Sequence, residues 1–167
     1  MSAVNEAERL SQVVLGSLEE DASADQLARR AYRSRAQFFR VFGAMIEETP
    51  AAMRRRLLLE RAAWQLGRTH QSITEIAFDA HYGSLEAFTR AFCRAFKISP
   101  SLYRRMGATH FHLPAPNAIH FCAPASASEG ENMDSVRHFR GSRIVSRPEA
   151  AGARAWPDRR PTGPAAQ

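Results

Sequence analysis

Lysine is nearly missing from this chain of 167 residues: Lys97 stands alone beside 22 arginines. Cysteine is also scarce. Cys93 and Cys122 are too few for a disulfide framework, which points to a reducing cytoplasm. No run of about 18 apolar residues occurs, so no transmembrane helix is expected. The first residues, Met1 to Arg9, are acidic and lack an apolar stretch, so no secretory leader is expected. Glycine is thin before Gly107, at Gly16, Gly43, Gly67 and Gly83 only, and forms no phosphate-cradling loop. No nucleophile–base–orienter set or paired-carboxylate pocket can be made out, so an enzyme is not expected. No cofactor is called for either. The length fits one compact domain or two very small ones, and 44% hydrophobic residues exclude wholesale disorder.

What is present is segregated charge. The formal net charge is +6. Residues 1–28 hold six acids against Arg9 alone, whereas residues 29–56 hold eight arginines against Glu47 and Glu48. A local basic field of that kind suits a polyanion, although a solvated arginine-rich surface would look the same.

Residues 3–106 read as helical throughout, without strand-like alternation. Leu10, Val13, Val14 and Leu18 form one apolar face. Ser23, Ser34, Ser72 and Ser84 stand where N-caps belong, and Thr49-Pro50 and Ser99-Pro100 are caps followed by proline at the first helical position. The helix opened by Thr49 carries Met53, Leu57, Leu58, Ala62 and Leu66 and is expected to stop at Gly67. At residues 50–67 it is a rod of about 27 Å.

The chain also repeats itself. Leu27, Ala28 and Ala31 match Ile76, Ala77 and Ala80 at an offset of 49. After a one-residue slip, nine positions from Ser34 to Arg55 match Ser84 to Arg105 at an offset of 50. Each copy is a short helix, a tight turn, a longer helix and a Ser/Thr-Pro helix start, which describes a helix-turn-helix. The second helix of such a unit fits a DNA major groove. Phe38, Val41 and Phe42 should face inward in copy one, leaving Arg35, Ala36, Phe39 and Arg40 outward. Phe88, Ala91 and Phe92 should face inward in copy two, leaving Leu85, Glu86, Thr89 and Arg90 outward. A guanidinium at Arg40 or Arg90 can bond guanine bidentately or hold a phosphate, and Glu86 can accept from cytosine N4. Helix starts at Ser34, Thr49, Ser84 and Ser99 offer main-chain N–H groups to phosphate, with Arg54 and Arg55 beside them. A purely structural helical corner is the competing reading. Two corners with matched arginines, joined by a rod, favour two major grooves about 34 Å apart.

On these stretches, residues 4–105 resemble the double helix-turn-helix domain of AraC/XylS-family transcriptional regulators. The runs SADQLARRAYRSRAQFFRVF, SITEIAFDAHYGSLEAFTRAF and ISPSLYRR carry the likeness. The resemblance implies an all-α fold of seven helices, in two subdomains joined by a central helix. It implies promoter DNA as the partner, with RNA polymerase as a candidate second partner, and base-facing roles for Ala36, Phe39, Arg40, Leu85, Glu86, Thr89 and Arg90. The chain departs from the family in having Glu47, His81 and Lys97 where glycine is usual. Each costs about 1 kcal/mol if its φ is positive. Gly43 and Cys93 replace common lysines, and Phe39 is apolar at a commonly polar position.

The domain is expected over 1–106, followed by an extended arm at 107–125 and a disordered Arg/Pro/Ala-rich tail at 126–167. The tail reads as the remnant of a lost sensing domain, which leaves a monomer or weak dimer. A piece ending at Arg105 is expected to fold alone. His110, His112, His120 and Cys122 could ligate a metal by residue type, but they lack the usual spacing, so no metal is expected. Cys93 and Trp64 read as packing residues. The rival to a DNA-binding regulator is a vestigial module acting through protein contacts.

Overall fold

The computed structural model describes residues 3–123. They form α1 (Ala3–Leu15), α2 (Ala24–Arg30), α3 (Arg35–Ile46), α4 (Pro50–Arg68), α5 (Ile73–Asp79), α6 (Leu85–Phe96) and α7 (Pro100–Arg105), with no strand. The tail from 126 onward lies outside the described residues. None of the described helices is long and apolar enough to cross a membrane.

The helix starts are where the caps put them. Ser23, Ser34, Thr49, Ser72, Ser84 and Ser99 each accept the N–H three residues on. Ser23 with Gln26 and Ser72 with Glu75 close reciprocal capping boxes. Each cap contributes about 1 kcal/mol. These contacts matter most for α2 and α5, which at seven residues are too short to hold by propensity.

The repeat is real in three dimensions. α1–α3 make one unit, α5–α7 the other, and α4 runs between them. Phe38 and Phe42 are fully buried with ring centroids 5.5 Å apart, and Phe88 and Phe92 are fully buried at 5.6 Å. Burying each ring stabilises by about 1.5–3 kcal/mol. The backbone repeats as well. Tyr32 and His81 occupy the left-handed region in the two tight turns, at φ 56° and 59°. Glu47 and Lys97 do so at the ends of α3 and α6, at φ 59° and 63°. The slip between the 49 and 50 offsets falls between these two pairs, in the turn. Val41 and Ala91, expected inward, are only half-buried.

α4 differs from its expected form. It runs through Gly67 to Arg68 and is capped by Thr69. Gly67 serves a close approach instead, since a Cβ there would lie 2.9 Å from the Ala108 carbonyl oxygen. Arg56, Glu60, Arg61 and Gln65 are buried on α4 together with its leucines. Charged residues bury only when paired, and these are.

The partner of Glu60 is the arm. Residues 107–123 contain no helix; they turn at Pro116 and Asn117, with Ala118 at φ 52°, so that His112 comes back against His120, and they pack as a strap over α4. Glu60 is fully buried and accepts the N–H groups of Leu113 (2.9 Å) and Phe121 (2.8 Å) and a bond from Arg56 (3.3 Å). Arg56 also donates to the Ile119 carbonyl, and Asn117 donates to the Ile46 carbonyl, each at 2.8 Å. Phe121 is buried against half-exposed Trp64. A piece ending at Arg105, expected to fold alone, would lose the Leu113 and Phe121 N–H groups and the His120 ring from the buried Glu60 carboxylate.

Candidate nucleic-acid interface

α3 and α6 are held by one face each. The buried phenylalanines pin them to their units, and the opposite faces meet solvent. On α3, Arg35, Ala36, Gln37 and Arg40 are exposed. On α6, Glu86 and Arg90 are exposed, whereas Leu85 and Thr89 are half-buried at the rim. Gln37 joins the α3 surface although the outward set read from the sequence does not contain it. Its place directly before Phe38 gives it an outward side chain while its N–H bonds the Ser34 hydroxyl.

Phe39 departs from its outward assignment. It is half-buried, packs edge-on against Phe38 at 6.0 Å, and lines a cleft of about 260 Å³ between the units. The Arg35 guanidinium lies over its ring at 5.9 Å and 3.6 Å from Asp25.

The arginines differ in what they bond, and Arg9, Arg30 and Arg35 are exposed but paired with acids. Arg33 pairs with Glu6 at 2.6 Å. Arg56, Arg61 and Arg104 donate to main-chain carbonyls across the fold. Arg54 also belongs to this group. Its guanidinium bonds the carbonyls of Ser17 and Glu20, and burial pulls its pKa down. It was expected to face phosphate, and instead it ties the loop after α1 to α4. In contrast, the guanidiniums of Arg40, Arg55, Arg90 and Arg94, like those of Arg29, Arg68 and Arg105, are exposed and form no ion pair or hydrogen bond among the described residues. Glu86 is held below the usual carboxylate range by its own main-chain N–H, then by the Ser84 hydroxyl and Arg90. It is therefore an ionised acceptor beside a cation.

The histidine arm goes elsewhere. His112 and His120 stack at 4.5 Å, His120 bonds Glu60 at 3.0 Å, and His112 bonds the Phe121 carbonyl at 3.2 Å. Cys122 donates weakly to the His120 carbonyl. Among the described residues no three His, Cys, Asp or Glu side chains converge on a metal position.

Two exposed helix faces in repeated units can be compared with known proteins. Residues 27–106 match the family model described as a helix-turn-helix domain. An HTH-type transcriptional regulator of Haemophilus influenzae is 34% identical over 92 residues, which cover 55% of this chain and 31% of the relative. This chain spans about a third of the length of such curated relatives. The structure of an AraC-type transcriptional regulator from Chromobacterium violaceum superposes with a TM-score of 0.58 at 25% identity, over 64% of this chain and 95% of that one. The DNA-binding domain of AdpA, solved in complex with a target DNA, superposes with a TM-score of 0.55 at 29% identity, over 59% and 91%. The chain therefore carries, at residues 27–106, a helix-turn-helix DNA-binding domain of the AraC/XylS family of transcription regulators.

Proposed function

We propose that this protein is a cytoplasmic, sequence-specific regulator of transcription that lays α3 and α6 in two successive major grooves of promoter DNA. The observation that carries the reading is the pair Arg40 and Arg90. They hold the same place in the two copies, on the face opposite the buried phenylalanines, and both guanidiniums are unpaired among the described residues. α4, at 19 residues, is about 28 Å long. That length suits grooves about 34 Å apart.

Within this reading Arg40 and Arg90 bond guanine edges, and Glu86 accepts from cytosine. Arg35, Ala36, Leu85 and Thr89 complete the two surfaces. Phe39 touches a thymine methyl at the edge of its groove. The helix starts at Ser34, Thr49, Ser84 and Ser99 face phosphates, with Arg55 as the cation beside them. Arg54 has no part in it.

The test is selection from a randomised duplex library with the full chain, followed by titration at two salt concentrations. The expected result is an enriched site with two half-sites, whose affinity falls steeply with salt as counterions are released. No enrichment and a flat salt response would favour a module that acts through protein contacts.

A further inference from the structure

One buried apolar cluster passes from the first unit through α4 to the second, with Phe38 and Phe42 at one end, Leu57 and Ala62 in α4, and Phe88 and Phe92 at the other. Between the two units lies the cleft, with Asp21, Leu27 and Phe39 on one wall and Ala80, His81 and Tyr82 on the other. The apolar packing runs by way of α4, whereas the facing walls of the two units stand apart at the cleft. Polar contacts bridge it. Arg61 on α4 is only 8% exposed. Its guanidinium donates to the Leu18 carbonyl at 3.2 Å and to Glu19 at 2.6 Å, both in the loop after α1. It also donates to the Asp79 carbonyl at 2.6 Å, at the end of α5. The His81 ring bonds the same Leu18 carbonyl at 2.9 Å, a direct bond from one unit to the other. The strap touches both units as well, with Asn117 donating to the Ile46 carbonyl of α3 at 2.8 Å and the Tyr103 hydroxyl of α7 donating to the His110 carbonyl at 2.7 Å, both at a distance from the cleft.

We infer that Arg61, assisted by His81, is a positioning residue that fixes the separation and twist of α3 relative to α6. It thereby sets the spacing between half-sites that the protein accepts. A guanidinium presents its donors in a rigid planar fork, so three acceptors on two units leave it one arrangement. Burial strengthens such bonds relative to water. One base pair added between half-sites moves the second by about 3.4 Å along the axis and turns it by about 35°. A bolted pair of helices cannot follow that movement. A pair without this bolt, still tethered by α4 and the strap, can follow it further. Arg61 is buried, so a change in spacing preference on its replacement does not come from a lost DNA contact.

This inference rests on the two-groove reading, and the experiment separates the two. The duplex enriched by the full chain is remade with one base pair removed, one added and two added between its half-sites, and each is titrated. The wild-type chain should lose about tenfold or more in affinity per step away from the optimum. Arg61→Met and Arg61→Lys, shown to be folded by circular dichroism, should lose less than about threefold per step, because α3 and α6 can then adjust. Glu19→Gln, which leaves both carbonyl bonds in place, should follow the wild-type profile. Folded Arg61 variants with the wild-type spacing profile overturn the inference. If they do not fold, His81→Gly decides it. This variant removes the second bond to Leu18 at a position whose φ suits glycine, and an unchanged profile there overturns the inference equally. Failure of the full chain to enrich any two-part site would instead remove the functional reading on which it rests.

Discussion

The carboxylate of Glu60 accepts the main-chain N–H of Phe121 at 2.8 Å, and both residues are buried. The bond spans 61 positions of sequence. It joins the middle of α4 to the far end of the strap, beside a second bond from Leu113 to the same carboxylate. The strap is thus part of the folded domain.

Truncation is the direct check. A chain ending at Arg105 loses the Leu113 and Phe121 donors and exposes the surface that Phe121 covers. It should be less stable than a chain ending at Ala123 by about 3–5 kcal/mol, the scale for breaking a buried charged cluster. Glu60→Ala in the full chain should cost a similar amount. Urea unfolding of the two truncations reads the difference, and equal midpoints would show that the strap contributes nothing.

How much of this was legible beforehand can be seen residue by residue. Caps and phenylalanines act locally, so Ser34 with Phe38 and Phe42 announced α3, and the repeat announced α6. Arg56, Glu60 and Arg61 were not legible as core. Charge at helical spacing looks like a solvated face, and their partners Ile119, Phe121 and Leu18 lie 43 to 63 residues away. The same distance hid the role of Arg54, which sits beside Arg55 in sequence while its guanidinium turns to Ser17 and Glu20. Phe39 was placed by helical spacing alone, which cannot show that a neighbouring unit forms a cleft beside it.

Backbone strain gives a second prediction. Glu47 is exposed and sits at φ 59° as the cap of α3. Its main-chain N–H bonds the Gly43 carbonyl, a contact that glycine keeps. Glu47→Gly should raise stability by up to about 1 kcal/mol, because the left-handed penalty exceeds the entropy glycine adds to the unfolded chain. Thermal unfolding measures it. A fall in the midpoint would mean that the Glu47 side chain stabilises the corner in some other way.

Acid sensitivity gives a third. Glu6 is held below its usual 4.5 by hydrogen bonds from Arg9 and then Arg33. A carboxyl with a depressed folded pKa contributes stability that is present above its unfolded value. That stability is lost as pH falls through the folded value. Stability should therefore hold down to about pH 5 and decline below 4.5 toward the folded value. Glu6→Gln should be less stable than wild type at neutral pH and should converge with it in acid. Parallel stability curves across that window would remove Glu6 from the account.

The last prediction separates the arginines by what they do. Arg40 and Arg90 are exposed, unpaired among the described residues and equivalent by the repeat. As base readers, Arg40→Ala and Arg90→Ala should each cost about 1–3 kcal/mol on the preferred duplex and relax its sequence at one position. The two positions should lie about one helical turn apart. Helical content should not change, because neither side chain is in the core. Arg55→Ala should weaken specific and scrambled duplexes alike and flatten the salt slope by about one unit. Its neighbour Arg54 should behave differently from all three. Arg54→Met leaves the Ser17 and Glu20 carbonyls without their donor, so it should lower stability by about 1–3 kcal/mol. Its salt slope should stay at the wild-type value. Titrations at two salt concentrations, with unfolding curves beside them, give all four comparisons. If Arg40→Ala and Arg90→Ala weaken both duplexes equally, these arginines hold phosphates and do not read bases. If neither changes any binding, α3 and α6 do not enter the grooves together. If Arg54→Met keeps full stability but flattens the salt slope, the pinned arginine is a DNA contact after all, because a bond to a carbonyl alone would leave the slope untouched.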